Sequence, residues 1–392
     1  MDPNQSDDEL NNFCEVDDET DMWFMMQAYE YNQRLEEEQN QPCLTRNPIN
    51  RGREDAERRL MADYFDDYCK YPFYYFRRRY RMSRKLFLDI VKDIESCTVD
   101  PLPKHFKFFT HRPDATGRMS MSVIMKCTSV IRQLAYGNTP DAFDEYLQMG
   151  DHNTRDCLDN FNKCIINLYI SKYLRKATLP DVEKIYDAHE NIHGFPDLWI
   201  WHAFFGVASA NNDINVLDNS PLFDDLLDDI AHVALFVVNG VGFEKGYYLA
   251  DEIYPQWETF VKSFTVANDE KHSFFKKRQE GSRKDVERAF GVHQRRWGII
   301  QQPARQYHVN RIRRIMYSCI IMHNMILEDQ KMAFSDWNEM YANPSRNMQR
   351  TWIERCDVKR RKAKEIWDKE VHLSLQRNLM EHIWQQREDE DE

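Results

Sequence analysis

The spacing of apolar residues predicts helices over most of the first half of the chain. Apolar side chains recur every three or four positions within residues 56–98, 122–136 and 154–174, which places them on one face of a helix. Thr139 precedes a further short helix through Leu147 and occupies the position of an amino-terminal cap. Short helices with tight connections fit a helix-turn-helix domain and fit an ordinary helical domain equally well.

The pattern changes after Pro196. Residues 198–208, 235–238 and 246–250 are short runs rich in aromatic, aliphatic and β-branched residues, and they predict buried strands. An amphipathic helix is expected after Pro221. Two more helices are predicted at residues 282–297 and 310–328. Strands interleaved with helices indicate an α/β layer architecture in this part of the chain.

The distribution of charge separates an acidic amino-terminal segment from the rest of the 392-residue chain. Residues 1–45 hold 13 acidic residues and one basic residue, so this head accounts for the whole net charge of -12. Such a composition predicts a mostly disordered tail over residues 1–55, in which residues 22–31 could become a partner-binding helix. We expect a helical domain at 56–180, an α/β domain at 181–330 and a helical extension with an acidic end at 331–392.

Composition narrows the possible functions. The chain has 12 glycines and contains neither a GxGxxG nor a GxxxxGK[ST] string, which argues against kinases, ATPases and Rossmann enzymes. Nine cysteines without a CxxC pair, and no secretion signal, predict reduced intracellular thiols. No apolar run approaches the roughly 18 residues that cross a bilayer, so we expect no membrane partner.

Two carboxylates stand where an α/β sheet places functional groups. Asp251 directly follows the predicted strand at 246–250, and Glu287 lies in a predicted helix, with 35 residues between the two. A strand-end carboxylate and a helix carboxylate can converge on hard divalent cations. In the alternative interpretation, Glu287 pairs with Arg283 one turn earlier and Asp251 caps a turn. His202, His293 and His323 lack ligand spacing and are interpreted as core or helix-surface residues.

Several long strings resemble the plant-type Harbinger, or PIF, transposases and the host proteins derived from them. They are LWIWHAFFGVASANNDINVLDNSPLF (198–223), GYYLADEIYPQW (246–257), RKDVERAFGVHQRRWGII (283–300) and IMHNMILED (321–329), with ATGRMSMSVIMKCTSVIRQLAYGNTPDAFDEYLQMG (115–150) resembling the family's helical region. The resemblance implies an RNase H-like fold whose DDE triad binds two Mg²⁺ or Mn²⁺ ions and cuts DNA. By this resemblance Asp251 is the second Asp and Glu287 the Glu, while Asp213 matches a recurrent loop residue outside the triad.

The chain departs from the family at the first catalytic Asp. In family members, two strands and that Asp lie between an HGFP-like turn and the strand that corresponds to residues 198–207. In this chain, the HGFP string at 193–196 is separated from that strand by one residue, Asp197. Neither Asp187 nor Asp197 follows a suitable strand. We therefore expect a truncated RNase H-like domain with weak or absent metal binding, in which Asp251 and Glu287 are the remnant of the triad.

Three hypotheses follow. The chain is a catalytically inactive, transposase-derived protein that acts by binding DNA or a chromatin partner. Alternatively it is an active nuclease whose missing segment is an error of the gene model. In the third hypothesis, the chain is a DNA-binding regulator whose function is carried by the amino-terminal helical region alone. The resemblance also implies a nuclear location and a Myb-like partner protein, and the basic run at 359–364 resembles a nuclear-import signal or an exposed basic helix.

Two basic stretches are candidates for DNA contact. Residues 71–85 mix cations with aromatic rings, as phosphate-contacting surfaces do. Residues 283–314 carry nine Lys or Arg against two acidic residues, although such stretches are also common on solvated helix faces. The predicted DNA-binding residues are Arg77, Arg78, Arg79, Arg81, Arg84, Lys85, Arg283, Arg288, Arg295 and Arg296.

Overall fold

The protein is represented by a computed structural model, which divides the chain into two compact units, residues 1–51 and 52–392. The described residues are 18–40, 51–113, 117–175, 200, 202–204, 213–224, 236–304, 308–330, 357 and 368–390. In the first unit, helix α1 spans Asp18–Asn40 and exposes apolar side chains including Met25 and Tyr29. This helix includes residues 22–31, and Ala, Gln, Leu and Glu favour a helix there, while the prediction of a mostly disordered tail over residues 1–55 stays a prediction.

The described part of the second unit is mostly helical. Short 3₁₀ helices lie at Pro140–Phe143, Pro221–Phe223 and Gly298–Gln301. The α-helices are α2 (Arg53–Tyr64), α3 (Phe73–Tyr80), α4 (Arg84–Glu95), α5 (Lys104–Lys107), α6 (Val123–Tyr136), α7 (Asp144–Leu147), α8 (Asp151–Tyr173), α9 (Asp213–Asn219), α10 (Glu270–Arg296), α11 (Val309–Asp329) and α12 (Lys369–Glu390). No described helix combines the length and apolar character needed to cross a membrane.

Aromatic side chains form the core of the amino-terminal helices. The Phe76 and Tyr80 rings of α3 stack with their centroids 4.0 Å apart, and both side chains are buried against Phe87 of α4. Helix α4 begins at Ser83, whose hydroxyl accepts a hydrogen bond from the Leu86 amide at 3.1 Å. The basic segment 71–85 therefore holds a helix of its own, which turns one aromatic face inward.

Helices α6, α8 and α11 form the centre of the unit. The predicted helices at 122–136, 154–174 and 310–328 are confirmed to within three residues at each end. The Ser122 side chain caps α6, whereas the predicted Thr139 cap makes no side-chain hydrogen bond. Apolar residues of α11 belong to the same buried cluster as α6 and α8. One buried cluster thus contains described residues from both sides of position 181, and the division into domains there stays a prediction.

A close approach of two glycines joins α6 to the 3₁₀ helix that follows α10. Gly137 ends α6 with φ +65°, and a Cβ there would lie 3.0 Å from the Gly298 carbonyl oxygen. A Cβ on Gly298 would lie 2.8 Å from the Ala135 carbonyl oxygen. Only residues without a side chain fit this backbone contact, which fixes the carboxyl end of α10 against the helical core.

The described strands form two sheets of two strands each. Strands β1 (Phe236–Val238) and β2 (Val241–Phe243) form an antiparallel hairpin. Strands β3 (Tyr248–Ala250) and β4 (Phe260–Lys262) pair in parallel, with Ala250 opposite Lys262. The predicted strands at 235–238 and 246–250 are confirmed in position. Of the predicted strand at 198–208, the described residues 200 and 202–204 are not in a strand, and the others lie outside the described residues.

Helices α10 and α12 cover the sheets. Helix α10 begins at Glu270, with the Asp269 carboxylate capping the His272 amide at 2.8 Å, so the predicted start at residue 282 is wrong. Helix α12 confirms the predicted helical carboxyl end over 369–390 and packs Leu375 and Leu379 beside Val261. The basic run at 359–364 lies outside the described residues, as do most positions of the helix predicted after Pro221.

Candidate functional site

Asp251 lies at the carboxyl end of β3, where the sequence placed it. Its predecessor Ala250 is buried in the apolar cluster beneath the sheet, and the Asp251 side chain is about half exposed. The Asp251 Oδ1 atom accepts a hydrogen bond from the Glu252 amide at 2.8 Å, as a turn-capping carboxylate does. The strand therefore places the carboxylate at its carboxyl end, with one carboxylate oxygen hydrogen-bonded to the backbone.

Gln279 fixes the position of α10 against this edge. Its side chain is 4% exposed, and Nε2 donates to the carbonyl oxygens of Ala250 and Val261, at 3.1 Å in each case. These carbonyls belong to the two paired strands β3 and β4. Because side chains four residues apart lie on one helix face, the anchor places Arg283 and Glu287 one and two turns further along, beside Asp251. Sequence reasoning missed Gln279; its signal is a polar residue four positions after the core residue Phe275.

Arg283 lies between the two carboxylates. Its Nη1 atom is 3.4 Å from Asp251 Oδ2 and 3.8 Å from Glu287 Oε1. The alternative pairing of Glu287 with Arg283 is therefore present, and Asp251 joins it. All three side chains are partly exposed, so water screens the interaction, and its contribution to stability is small. Its main effect is to place a fixed positive charge where the two carboxylates converge.

The residues present do not fit a pair of divalent cations in this arrangement. Two-metal sites need several carboxylates to balance a charge of about +4. Here two carboxylates already share one guanidinium, which leaves a single net negative charge. Within the described ranges, no group of three or more His, Cys, Asp or Glu residues is arranged to hold a metal. The HGFP string, Asp187 and Asp197 lie outside the described residues, and Asp213 is the first residue of α9.

Helix α3 presents the exposed half of the first basic stretch. Arg77, Arg78 and Arg79 are exposed, and no ion pair with another described residue involves them. Phe73 and Tyr74 on the preceding turn are 76% and 58% exposed. We call the outer side of α3, formed by these five residues, the α3 surface. It combines three uncompensated cations with two accessible rings.

The remaining cations of that stretch differ in what they contact. Arg81 lies over the Tyr136 ring at 5.2 Å from its centroid. Arg84 donates from Nη2 to the Phe65 carbonyl oxygen and connects α4 to the end of α2. Lys85 is exposed. The guanidinium groups of Arg81 and Arg84 thus contact other residues of the protein. Lys85 is exposed and can contribute a further positive charge next to the α3 surface.

The second basic stretch is likewise divided. Arg288 and Arg295 are exposed on α10. Arg296 donates from Nη1 to His323 Nδ1 at 2.9 Å and to the His323 carbonyl oxygen at 3.2 Å. Burial lowers the pKa of Arg296 to about 10, and burial followed by the Arg296 charge lowers the pKa of His293 to about 4. Arg296 and its two buried histidines therefore connect α10 to α11 within the protein interior.

Asn324 of α11 is a second buried amide that sequence reasoning missed. Its side chain is fully buried, and Nδ2 donates to the carbonyl oxygens of Tyr173 at 2.8 Å and Ile200 at 2.9 Å. Its Oδ1 atom accepts from the Ile200 amide at 3.1 Å. The side chain thus pairs with the Ile200 backbone as a neighbouring strand would. Its sequence signal is an Asn within the apolar string IMHNMIL.

Comparison with known proteins supports part of the resemblance. Residues 171–333 match the family model described as plant transposon protein. The matched region contains Asp251, Arg283, Glu287 and both buried amides, and it supports a relationship to transposases. Residues 57–95, which include the α3 surface, match a domain of unknown function, DUF8418. No curated protein and no solved structure matches the chain.

Proposed function

We propose that the chain derives from a Harbinger-type transposase with a truncated RNase H-like domain, has lost metal-dependent DNA cleavage, and acts in the nucleus by binding DNA. The main observation behind the proposed loss of cleavage is the position of Arg283 between Asp251 and Glu287. The match of residues 171–333 to the plant transposon protein family supports a transposase-derived origin. A Myb-like protein or a chromatin complex is the partner that this ancestry suggests.

Loss of cleavage follows from charge and geometry. In a metal-dependent nuclease the cations must lie between the carboxylates and the scissile phosphate, at fixed coordination distances. The Arg283 guanidinium occupies the convergence point of the two carboxylates and compensates half of their charge. Its donors can orient a phosphate, but a guanidinium at neutral pH cannot generate a bound hydroxide. The residues therefore retain the ability to hold a charged group without the ability to cut it.

DNA binding is supported by the α3 surface. Duplex DNA attracts lysines and arginines through its phosphates, and each contact releases condensed counterions. Arg77, Arg78 and Arg79 lie on consecutive positions of a short helix and carry three charges that no described acidic residue compensates. The buried rings of Phe76 and Tyr80 hold the helix rigidly on the core. The surface is thus both electropositive and preorganised.

The loss of cleavage is tested with purified full-length protein on terminal-repeat DNA in the presence of Mg²⁺. We expect the wild type and Asp251→Ala to give the same background level of cutting. Cutting that is above background and abolished in Asp251→Ala would show an active nuclease and overturn this part of the proposal. Intact binding of the same DNA by both proteins controls for folding.

DNA binding is tested by the salt dependence of affinity for duplex DNA. Reversing Arg77, Arg78 and Arg79 to Glu should reduce the slope of log K against log salt by about 2.7, since each lost phosphate contact removes about 0.9. The matched control reverses three exposed lysines elsewhere, Lys92, Lys277 and Lys369, and changes the net charge equally. If both triple variants shift the slope alike, the α3 surface is not the contact.

A further inference from the structure

A basic groove runs between α8 and α11, apart from the α3 surface and from Asp251. Its volume is about 410 Å³, and each helix contributes residues at helical spacing, so the lining includes one row of side chains from each helix. His105 of α5 also lines the groove. The residues of the two rows are Lys163, Ile166, Asn167 and Ile170 on α8, and Asn310, Arg313, Arg314 and Tyr317 on α11.

The lining of the groove contains three cations and no carboxylate, and Asp159 is a neighbouring carboxylate that contacts two of the cations. Asp159 accepts from Lys163 Nζ at 2.6 Å and from Arg314 Nη2 at 2.8 Å, and Arg311 Nε lies 3.9 Å away. Burial acts to raise the pKa of Asp159, but the hydrogen bonds from Lys163 and Arg314 lower it overall. The three cations of the lining, Lys163, Arg313 and Arg314, thus face one neighbouring carboxylate, which leaves the groove with a net positive charge.

Arg313 supplies the cation that is available to a ligand. Its side chain is exposed, and no ion pair with another described residue involves it. Lys163 and Arg314 are held in place by Asp159, which fixes their positions on either side of the groove. A guanidinium beside two fixed cations matches the donor pattern that binds a phosphate group.

The rest of the lining is apolar and amide-bearing. Ile166, Ile170 and Tyr317 present carbon surface, while Asn167 and Asn310 each bring a donor and an acceptor. A groove of this size and mixed character accommodates a ligand of nucleotide dimensions. Inorganic phosphate would engage only the cations and leave the apolar surface uncovered.

We propose that this groove binds a nucleotide, with the phosphate on Lys163, Arg313 and Arg314 and the base against the apolar lining. The nucleotide is either free or one unit of a single strand, and both present the same phosphate and base. The groove shares no residue with the α3 surface, so it constitutes a second site beyond the proposed duplex contact.

The test uses the full-length protein, a fluorescein-labelled single-stranded 12-nucleotide DNA, unlabelled dAMP and inorganic phosphate. Affinity is measured by fluorescence anisotropy and by calorimetry. We expect Arg313→Glu to weaken binding of the strand or of dAMP by about tenfold, as the loss of a charged hydrogen bond predicts. Lys277→Glu, an equal charge change at an exposed residue of α10, should alter binding by less than about twofold.

The experiment distinguishes a free nucleotide from a unit of a strand, and the groove from the α3 surface. Arg313-sensitive binding of dAMP identifies a free nucleotide, and Arg313-sensitive binding of the strand alone identifies a unit of a strand. Equal weakening by Arg313→Glu and Lys277→Glu, or competition by inorganic phosphate as strong as that by dAMP, would overturn the assignment. If reversal of Arg77 to Arg79 weakens strand binding while Arg313→Glu does not, the groove assignment fails and the α3 surface stands.

Discussion

Replacing Asn324 by Leu tests whether a buried amide holds the segment around Ile200 in the core. Leu has nearly the same shape, so the change removes the polar contacts with little loss of volume. It leaves the Ile200 amide, the Ile200 carbonyl and the Tyr173 carbonyl without the Asn324 partner. At about 1 kcal/mol for each lost hydrogen bond, and more for each buried group left unsatisfied, the free energy of unfolding should fall by about 3 to 5 kcal/mol.

The assay is urea unfolding followed by circular dichroism and tryptophan fluorescence, with hydrogen exchange of the Ile200 amide as the local readout. Exchange at Ile200 should accelerate more than exchange in α6, because the hydrogen bonds of Asn324 go to Ile200 and Tyr173 and none goes to a described residue of α6. The matched control is Asn310→Leu, an exposed site on the same helix, where we expect a change below about 0.5 kcal/mol. A loss of less than about 1 kcal/mol for Asn324→Leu, with unchanged exchange at Ile200, would refute the reasoning.

Two other predictions concern α10. Gln279→Leu should destabilise the protein by about 2 to 3 kcal/mol, because the carbonyls of Ala250 and Val261 lose their shared donor, and faster hydrogen exchange in β3 and β4 would report it; unchanged exchange there would contradict the anchor. His293 has a folded pKa of about 4, below its ordinary value of 6.5, so the unfolded chain binds the proton first on acidification. The contribution of His293 to stability should therefore be constant above about pH 6.5 and fall by about 3 kcal/mol between pH 6.5 and 4. His293→Leu should reduce this loss in pH-dependent urea unfolding, and an identical pH profile in the variant would exclude His293 as its source.

Hydrophobic periodicity predicted the helices that bury a continuous apolar face. Helix α6 is the clearest example, since Val130, Ile131 and Leu134 fall at helical spacing and are all fully buried. The same signal failed at the start of α10. Gly281 and Ser282 interrupt the pattern there and disfavour a helix locally, yet the Asp269 cap and the packing of Phe275 against α12 outweigh that cost.

The candidate site was only partly predictable because its decisive contacts are tertiary. The spacing of Arg283 and Glu287 predicts their pairing along one helix. The contact between Arg283 and Asp251 depends on where α10 crosses the end of β3, and Gln279 sets that crossing through two backbone carbonyls. A polar residue among apolar ones is the sequence trace of such an anchor, but it does not reveal which carbonyls it binds.

The most direct test of the central claim is a titration of the full-length protein with Mn²⁺, in which free Mn²⁺ is followed by electron paramagnetic resonance. With Arg283 compensating the carboxylates, the binding curves of wild type and Asp251→Asn should coincide. Arg283→Gln frees both carboxylates and should create one weak, Asp251-dependent site. Two Mn²⁺ ions bound by the wild type and lost in Asp251→Asn would contradict the account.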